Sequence, residues 1–327
     1  MSTLTKGHLS VYPLRVTTRL SADNAFGPLI DRAHALTQGA DGIAERWGST
    51  VDEADDLVGS RGVTPPVRLA EIRPDTYTAP DVELPILALR LYWYVFDKPA
   101  FEILHNPEPL DYHRLQAADV LITPGADGQS HDVLVTTRTP RSIDRIVVPA
   151  LKGMYDFVDP AAVVYADDTS MALGDDDIFL WILARSHHAP DVGHDLHIVG
   201  VRSVSSEDRL QRAASLSRGV DVDRAELRAL ITVGARLGPA KFTVRDDLLG
   251  LVSEFELYRD GGFTVITGDS WYEDGPKLRD YIGPRIVPDL AFSVLPRLRQ
   301  AYNGDDVWRR TDRDAYLAEA VQALRAL

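Results

Sequence analysis

The chain has 327 residues, of which 45% are hydrophobic and 26% charged, and its formal net charge is −14. This is the composition of an ordinary globular protein, and the negative charge opposes nonspecific binding to nucleic acid or to anionic membranes. The chain has no cysteine, which excludes disulfides, zinc–thiolate sites, iron–sulfur ligation and cysteine nucleophiles within it.

The sequence predicts a soluble, cytoplasmic protein of bacterial type. Its N-terminal segment lacks the continuous apolar core of a signal peptide. The most apolar window, Leu84–Phe96, contains Arg90 and is shorter than the roughly 20 residues that a membrane-spanning helix needs. Arginine far outnumbers lysine, which indicates a high-GC bacterial coding bias.

The N-terminal part alternates between strand and helix signals. β-Branched residues predict a strand over Leu9–Leu20, and an apolar stripe then predicts a helix that runs to about Trp47. A short acidic helix is expected over Thr50–Val58 and a strand over Val67–Ile72. This order is typical of a small α/β unit.

The apolar segment Leu84–Phe96 fits either a buried strand or a buried helix. Leu89, Tyr92 and Trp93 would share one helical face, which favours the helix. The proline-bearing connector His105–His113 follows and suggests a hinge. We therefore predict an N-terminal α/β unit at residues 1–110 and a larger α+β unit at residues 111–327.

Beyond this connector, the pattern predicts short strands, a helix and a histidine-rich loop. Strands are expected at Asp119–Thr123 and Asp132–Thr137, and a helix at Pro140–Tyr155. Two further apolar runs, Ile178–Ala184 and Leu196–Val201, are predicted as strands that flank the loop.

The histidine-rich loop is a candidate metal site. Imidazole and carboxylate groups suit zinc, manganese, nickel or iron, and a compact loop can bring close neighbours in sequence together. The hypothetical ligands are His188, Asp191 and His194, with His197 as a fourth. The alternative is a polar hairpin loop, because its proline, glycine and aspartates are ordinary turn residues.

A cluster of aspartates just upstream is a second candidate site. Asp167, Asp168 and the run Asp175–Asp177 could hold Mg²⁺, which prefers hard oxygen ligands. In a hydrolase, Asp167 or Asp168 would bind a second ion or activate water. The alternative for Gly174–Asp177 is a solvated turn in which an aspartate caps a helix or forms an Asx turn.

The remaining chain reads as mostly helical around one hairpin. Helices are predicted from Ser205 to Leu216, over Asp223–Leu237, over Ile286–Tyr302 and from Thr311 to the C-terminus. Gly238-Pro239 ends the second of these helices. The hairpin joins Leu249–Arg259 to Gly262–Thr267, where alternation indicates a half-exposed antiparallel pair.

Arginines and aromatic residues gather near the C-terminus. Guanidinium groups beside aromatic rings suit contacts with an acidic protein, a phosphate or a nucleic acid. The alternative is a set of local salt bridges, because aspartates lie among these arginines. The hypothetical partner-binding residues are Arg297, Arg299, Trp308, Arg309 and Arg310.

Taken as a fold, the sequence predicts an α+β protein with mixed, mostly antiparallel sheets, flanking helices and a helix-rich C-terminal part.

No catalytic constellation is complete, so the leading hypothesis is an accessory protein that binds another macromolecule, most simply a protein. Nucleic acid would need a local basic patch, no membrane partner is expected, and the oligomeric state is open. The alternative is a phosphodiesterase or nuclease that uses a divalent metal ion at residues 167–197. A third hypothesis is a component of a bacterial antiphage defence system.

Overall fold

A computed structural model describes residues 8–20, 26–50, 56–104, 107–166, 169–207, 213–216, 225–275 and 285–325. The contacts divide the chain into two compact units. The first comprises Met1–Thr78 and Val82–Ser170, and the second comprises Ala79–Asp81 and Met171–Leu327. Both are α+β with antiparallel strands, which confirms the predicted fold class. No helix in the described ranges combines the length and the apolar character that crossing a membrane requires.

The first unit is built on one antiparallel sheet. Its strands run in the order β7-β1-β6-β5-β4-β2, and β3 also pairs with β4. Its helices are α1 (Phe26–Gln38), α2 (Lys98–Ile103), α3 (Pro140–Ser142) and α4 (Val148–Tyr155). The strands are β1 (His8–Thr17), β2 (Arg46–Gly48), β3 (Pro74–Ala79), β4 (Val82–Phe96), β5 (His113–Pro124), β6 (Ser130–Val135) and β7 (Val163–Tyr165).

The second unit also has an antiparallel sheet, in the order β10-β9-β11-β12-β13, with β8 on β9 and β14 on β12. Its helices are α5 (Asp177–His188), α6 (Ala225–Thr232), α7 (Leu295–Gly304) and α8 (Arg313–Arg325). The strands are β8 (Asp191–Gly193), β9 (Leu196–Glu207), β10 (Ala213–Leu216), β11 (Arg236–Asp246), β12 (Leu251–Leu257), β13 (Phe263–Ile266) and β14 (Trp271–Tyr272).

The segment at residues 84–96 is the long strand β4, so the helix that the sequence favoured there is wrong. Alternate residues Leu87, Leu89 and Leu91 enter the core with the helices, whereas Arg90 and Tyr92 are buried on the opposite face. A strand buried on both faces has no polar alternation, which makes it resemble a buried helix in sequence. β4 pairs with β5 from Leu87 to Phe96, so the contacts group the predicted hinge at residues 105–113 within the first unit.

The run at residues 178–184 is the reverse case, because it forms helix α5 and not the predicted strand. All seven of its side chains are buried. A helix that is buried all round shows no apolar stripe, and its sequence then imitates a central strand. The following strand β9 is confirmed, and it extends to Glu207.

Other predicted elements have different outcomes. The hairpin of β12 and β13 is confirmed, although β12 is buried almost throughout and not half-exposed. The predicted helix at 205–216 is wrong, since β9 and β10 occupy its ends. The predicted strand at 67–72 contains a 3₁₀ turn, Leu69–Glu71. Most of the predicted acidic helix at 50–58 lies outside the described residues.

The same helical pattern follows the sheet hairpin in both units. A π-helical turn, Ile143–Val147, precedes α4, and another, Asp289–Val294, precedes α7. In each case the residue before a proline donates its backbone N–H to the carbonyl five residues earlier: Val148 to Ile143, and Leu295 to Leu290. The wider turn accommodates the proline, which has no N–H to donate. Both helices, Pro140–Tyr155 and 285–304, agree with the prediction.

Candidate functional site

The aspartates at the start of α5 include an Asx turn at exposed Asp175, and each of their side chains also has a partner in the second unit. Asp175 accepts a hydrogen bond from the Asp177 backbone N–H at 2.9 Å and another from the Tyr302 hydroxyl at 2.6 Å. Burial and the hydrogen bond to this carboxylate raise the pKa of Tyr302. The tyrosine therefore stays a neutral donor, fixed on α7 against the start of α5.

Asp176 forms ion pairs with two arginines. One of its carboxylate oxygens accepts from Arg236, at the start of β11, and the other lies 3.3 Å from the Nε of Arg259. Arg236 reaches the aspartate from a largely exposed position, with 68% of its side chain accessible. The pair is therefore accessible from solvent, and part of the Arg236 guanidinium is available for other contacts.

Asp177 connects the start of α5 to the C-terminal segment. Its carboxylate accepts from Arg313 Nε at 2.8 Å and from Trp308 Nε1 at 3.0 Å. The hydrogen bond with Asp177 raises the pKa of Arg313. The acidic segment and the arginine-rich C-terminus, which the sequence presents as separate candidate sites, thus meet in the ion pair of Asp177 and Arg313.

A second acid–base cluster lies one to two turns further along α5. Asp305 accepts from Trp181 Nε1 at 2.8 Å and from Arg185 Nε at 2.9 Å. Burial opposes the ionisation of Asp305, but the hydrogen bonds from Trp181, the Trp308 backbone and Arg185 outweigh it and lower its pKa. These contacts fix the N-terminal end of the C-terminal segment against α5.

A cavity of about 570 Å³ lies beside the first cluster, within the second unit. The start of α5, the end of α6, the start of β11 and helix α8 form its walls. Its polar lining includes the three aspartates together with Arg236 and Arg313. Its apolar lining consists of Leu180, Ile231, Leu237, Leu317 and Val321. The cavity combines apolar surface with a few charged groups, which is the usual make-up of a small-molecule site.

The predicted partner-binding arginines have different environments. Arg297 is only 7% exposed, and it forms an ion pair with buried Asp246 and donates to the His194 carbonyl at 2.9 Å. Trp308 is 1% exposed. Neither residue is positioned to contact a partner, because both fill the interior. The prediction of a surface role is wrong for both residues. The sequence alone does not tell which face of their helices packs against the rest of the unit.

The other three predicted residues lie nearer the surface. Arg309 and Arg310 are exposed, and Arg310 lies 3.9 Å from Asp306 one turn earlier. Arg299 is partly buried. The local salt bridges that the sequence offered as the alternative thus account for the Arg310 side chain.

The predicted metal ligands do not converge. His188 ends α5 and faces Tyr316 and Glu319, with 3.9 Å between His188 Nε2 and the Glu319 carboxylate. Asp191 accepts from the Gly193 backbone N–H, and His197 lies 2.9 Å from the Asp247 carboxylate. Within the described ranges, no group of three or more His, Asp or Glu side chains is arranged to hold a metal ion.

The loop between β8 and β9 is a tight hairpin turn. Gly193 pairs with Leu196, and the two residues between them, His194 and Asp195, both have positive φ, at 56° and 59°. Type I′ turns require positive φ at both central residues. The hairpin interpretation therefore explains this segment. The predicted catalytic residues, Asp167 and Asp168, lie outside the described residues.

The first unit carries an exposed aromatic patch that the sequence analysis missed. It consists of Phe96, Phe101, Tyr112 and His113, whose neighbouring rings lie 4.9–5.7 Å apart. Phe96 and Phe101 are 50% and 49% exposed, and Ile103 beside them is 75% exposed. The available signal was the density of aromatic residues around a short proline-bearing connector.

Asp97 holds the backbone beneath this aromatic patch. Its carboxylate caps α2 by accepting from the Ala100 N–H, and its backbone N–H donates to the Tyr112 carbonyl at 2.8 Å. Arg114 Nε donates to the same carboxylate at 2.6 Å, and this hydrogen bond is the main reason that the pKa of Asp97 is lowered. The rings are therefore presented on an ordered base.

Comparison with protein-family models and with curated proteins gave no match.

Proposed function

We propose that this protein is an accessory protein that binds another protein through the aromatic patch. The observation that carries the proposal is the exposure of Phe96 and Phe101 in a cluster whose backbone is already fixed by Asp97. Aromatic side chains are enriched among the residues that dominate binding energy at interfaces. An ordered cluster also loses less conformational entropy when it binds.

A protein partner fits the charge of this region better than nucleic acid does. The segments that carry the patch have four acidic residues, Asp97, Glu102, Glu108 and Asp111, against two basic ones, Lys98 and Arg114. The whole chain carries a net charge of −14. A polyanion would be repelled, whereas an apolar protein surface would cover the rings.

Two other functions stay predictions. A metal-dependent hydrolase would use Asp167 or Asp168, both outside the described residues, and elemental analysis with an activity screen tests it. A role in antiphage defence is tested by identifying the genes that lie next to the gene for this protein. Neither has a specific observation in its favour comparable to the aromatic patch.

Site-specific photo-crosslinking tests the proposed function. A photoreactive amino acid would replace Phe101 of the patch or Ile103 of the same helix α2. Val199 and Val307 of the second unit, both 59% exposed, serve as matched controls. In the native host we expect one protein to be crosslinked in near-stoichiometric amount from the patch positions and not from the controls. We expect Phe96→Ser to abolish that crosslink.

Two outcomes would refute the proposed function. One is that the patch positions capture nothing beyond the controls. The other is that the captured protein is a second copy of this chain, which would make the patch a self-association surface. Size-exclusion chromatography with light scattering on the purified protein identifies the second outcome independently of the host.

A further inference from the structure

The cavity of the second unit has one wall that is strongly apolar. Leu180, Ile231 and Leu237 are 7%, 5% and 4% exposed, and partly buried Leu317 and Val321 of α8 complete this wall. The volume of the cavity, about 570 Å³, lies within the range of small-molecule sites, about 300–1,000 Å³. An aliphatic group of several carbons would remove this surface from water.

At the polar end of the cavity, the carboxylate oxygens are already occupied. Both oxygens of each aspartate have a partner: Tyr302 and a backbone N–H for Asp175, two arginines for Asp176, and Arg313 with Trp308 for Asp177. The three carboxylates face three guanidinium groups, so the formal charges of this cluster balance. A cationic ligand would have to displace an existing arginine or hydrogen bond.

The two lining arginines, in contrast, keep donors for a ligand. Arg236 uses Nε and Nη2 towards Asp176, and Arg313 directs Nε to Asp177, with 42% of its side chain exposed. Among the described residues, the Nη1 of Arg236 and the Nη2 of Arg313 have no partner. A guanidinium carries five N–H donors in a geometry that suits a carboxylate.

We infer that this cavity binds a small amphipathic carboxylate. Its aliphatic body lies along the apolar wall, and its carboxylate accepts hydrogen bonds from the outer N–H groups of Arg236 and Arg313. The ion pairs with Asp176 and Asp177 hold these two guanidinium groups in place. This site is separate from the aromatic patch and does not depend on the proposed function.

Titration calorimetry with three eight-carbon probes tests the inference: octanoate, octanol and octylammonium. They share the aliphatic chain and differ in the head group. We expect octanoate to bind with a dissociation constant below about 1 mM. We expect at least a tenfold weaker affinity for octanol, and no binding of octylammonium in the same concentration range.

Variants connect the binding to this cavity. Val321→Phe fills the apolar end and should abolish octanoate binding, whereas Val307→Phe on an exposed position should leave it unchanged. Arg236→Gln and Arg313→Gln should each weaken octanoate at least tenfold, and Arg310→Gln, with 78% of the side chain exposed, should not. Because Arg236 is also largely exposed, its variant is expected to fold, and circular dichroism checks this for every variant.

Three results would overturn the inference. The first is no octanoate binding at 5 mM, about five times the largest expected dissociation constant. The second is equal affinity for octanoate and octylammonium, and the third is unchanged octanoate binding in folded Val321→Phe.

Discussion

Asp177 and Arg313 lie 136 residues apart in the chain, and their side chains form an ion pair with 2.8 Å between Oδ1 and Nε. The pair joins the first turn of α5 to the first turn of α8. It places a negative charge at the N-terminus of α5, where the helix dipole favours it. This contact joins one residue of the acidic run to one of the C-terminal arginines.

A double-mutant cycle on Asp177 and Arg313 measures this contact. Since 42% of the Arg313 side chain is exposed, solvent screens the pair, and we expect a coupling free energy of only about 1 kcal/mol. The measurement is urea unfolding of the wild type, Asp177→Ala, Arg313→Ala and the double variant. The exposed pair Asp306 and Arg310 serves as the control and should show no measurable coupling.

The buried pair of Arg90 and Asp119 should be far more important to stability. The two side chains are 0% and 1% exposed, and two hydrogen bonds of 2.6 and 3.2 Å join them across β4 and β5. Asp119→Ala leaves a guanidinium buried without its carboxylate, which should cost about 3–5 kcal/mol of unfolding free energy. Replacing both residues, as Arg90→Met with Asp119→Leu, should cost less than Asp119→Ala alone. A loss below about 1 kcal/mol in Asp119→Ala would contradict the importance of the pair.

Arg297 should behave as a core residue and not as a binding residue. Arg297→Met leaves the carboxylate of Asp246, which is 0% exposed, without its ion-pair partner. We expect a loss of about 3 kcal/mol or more in unfolding free energy. Arg310→Met, at an exposed position, should change stability by less than about 0.5 kcal/mol. If both substitutions changed the unfolding free energy by the same small amount, Arg297 would not be a core residue.

His131 should make the stability of the protein depend on pH. The side chain is 1% exposed, its Nδ1 lies 2.7 Å from the Tyr155 hydroxyl, and burial lowers its pKa from 6.5 to about 4. Between these values the unfolded chain binds the proton and the folded chain does not, so protonation favours unfolding. The stabilisation is complete above pH 6.5 and decreases as the pH falls to about 4, by about 3 kcal/mol in total.

Urea unfolding at several pH values between 4 and 7 checks this dependence. The wild type is compared with His131→Gln, because other groups titrate in both proteins and cancel in the difference. We expect the stability difference between the two proteins to change by about 3 kcal/mol over this range. A difference that is independent of pH would show that His131 is protonated as easily in the folded chain as in the unfolded one.

The predictable part of the fold is the part where apolar and polar residues alternate in the sequence beside a clear turn. The hairpin of β12 and β13 was found because its sequence alternates around a turn at Asp260, Gly261 and Gly262. The sequence favours the wrong class for β4 and α5 because the central part of β4 and residues 178–184 of α5 are buried on both faces. Periodicity then carries no information, and only the neighbours that cover each element decide between strand and helix.

The candidate site could be predicted only in pieces. The aspartates before α5 and the C-terminal arginines were each visible, but nothing local indicates that Asp177 meets Arg313 across 136 residues. The aromatic patch was missed for a different reason. Its rings come from the end of β4, from α2 and from the connector that leads into β5, and the sequence alone does not distinguish an exposed aromatic residue from a buried one.

Affinity measured with the crosslinked partner, once purified, tests the central claim most directly. Calorimetry would compare the wild type with Phe101→Ser in the patch and Val307→Ser at an exposed position of the second unit. We predict at least a tenfold loss of affinity in Phe101→Ser and none in Val307→Ser, with both variants folded. Equal affinity of all three proteins would contradict the aromatic patch as the binding surface.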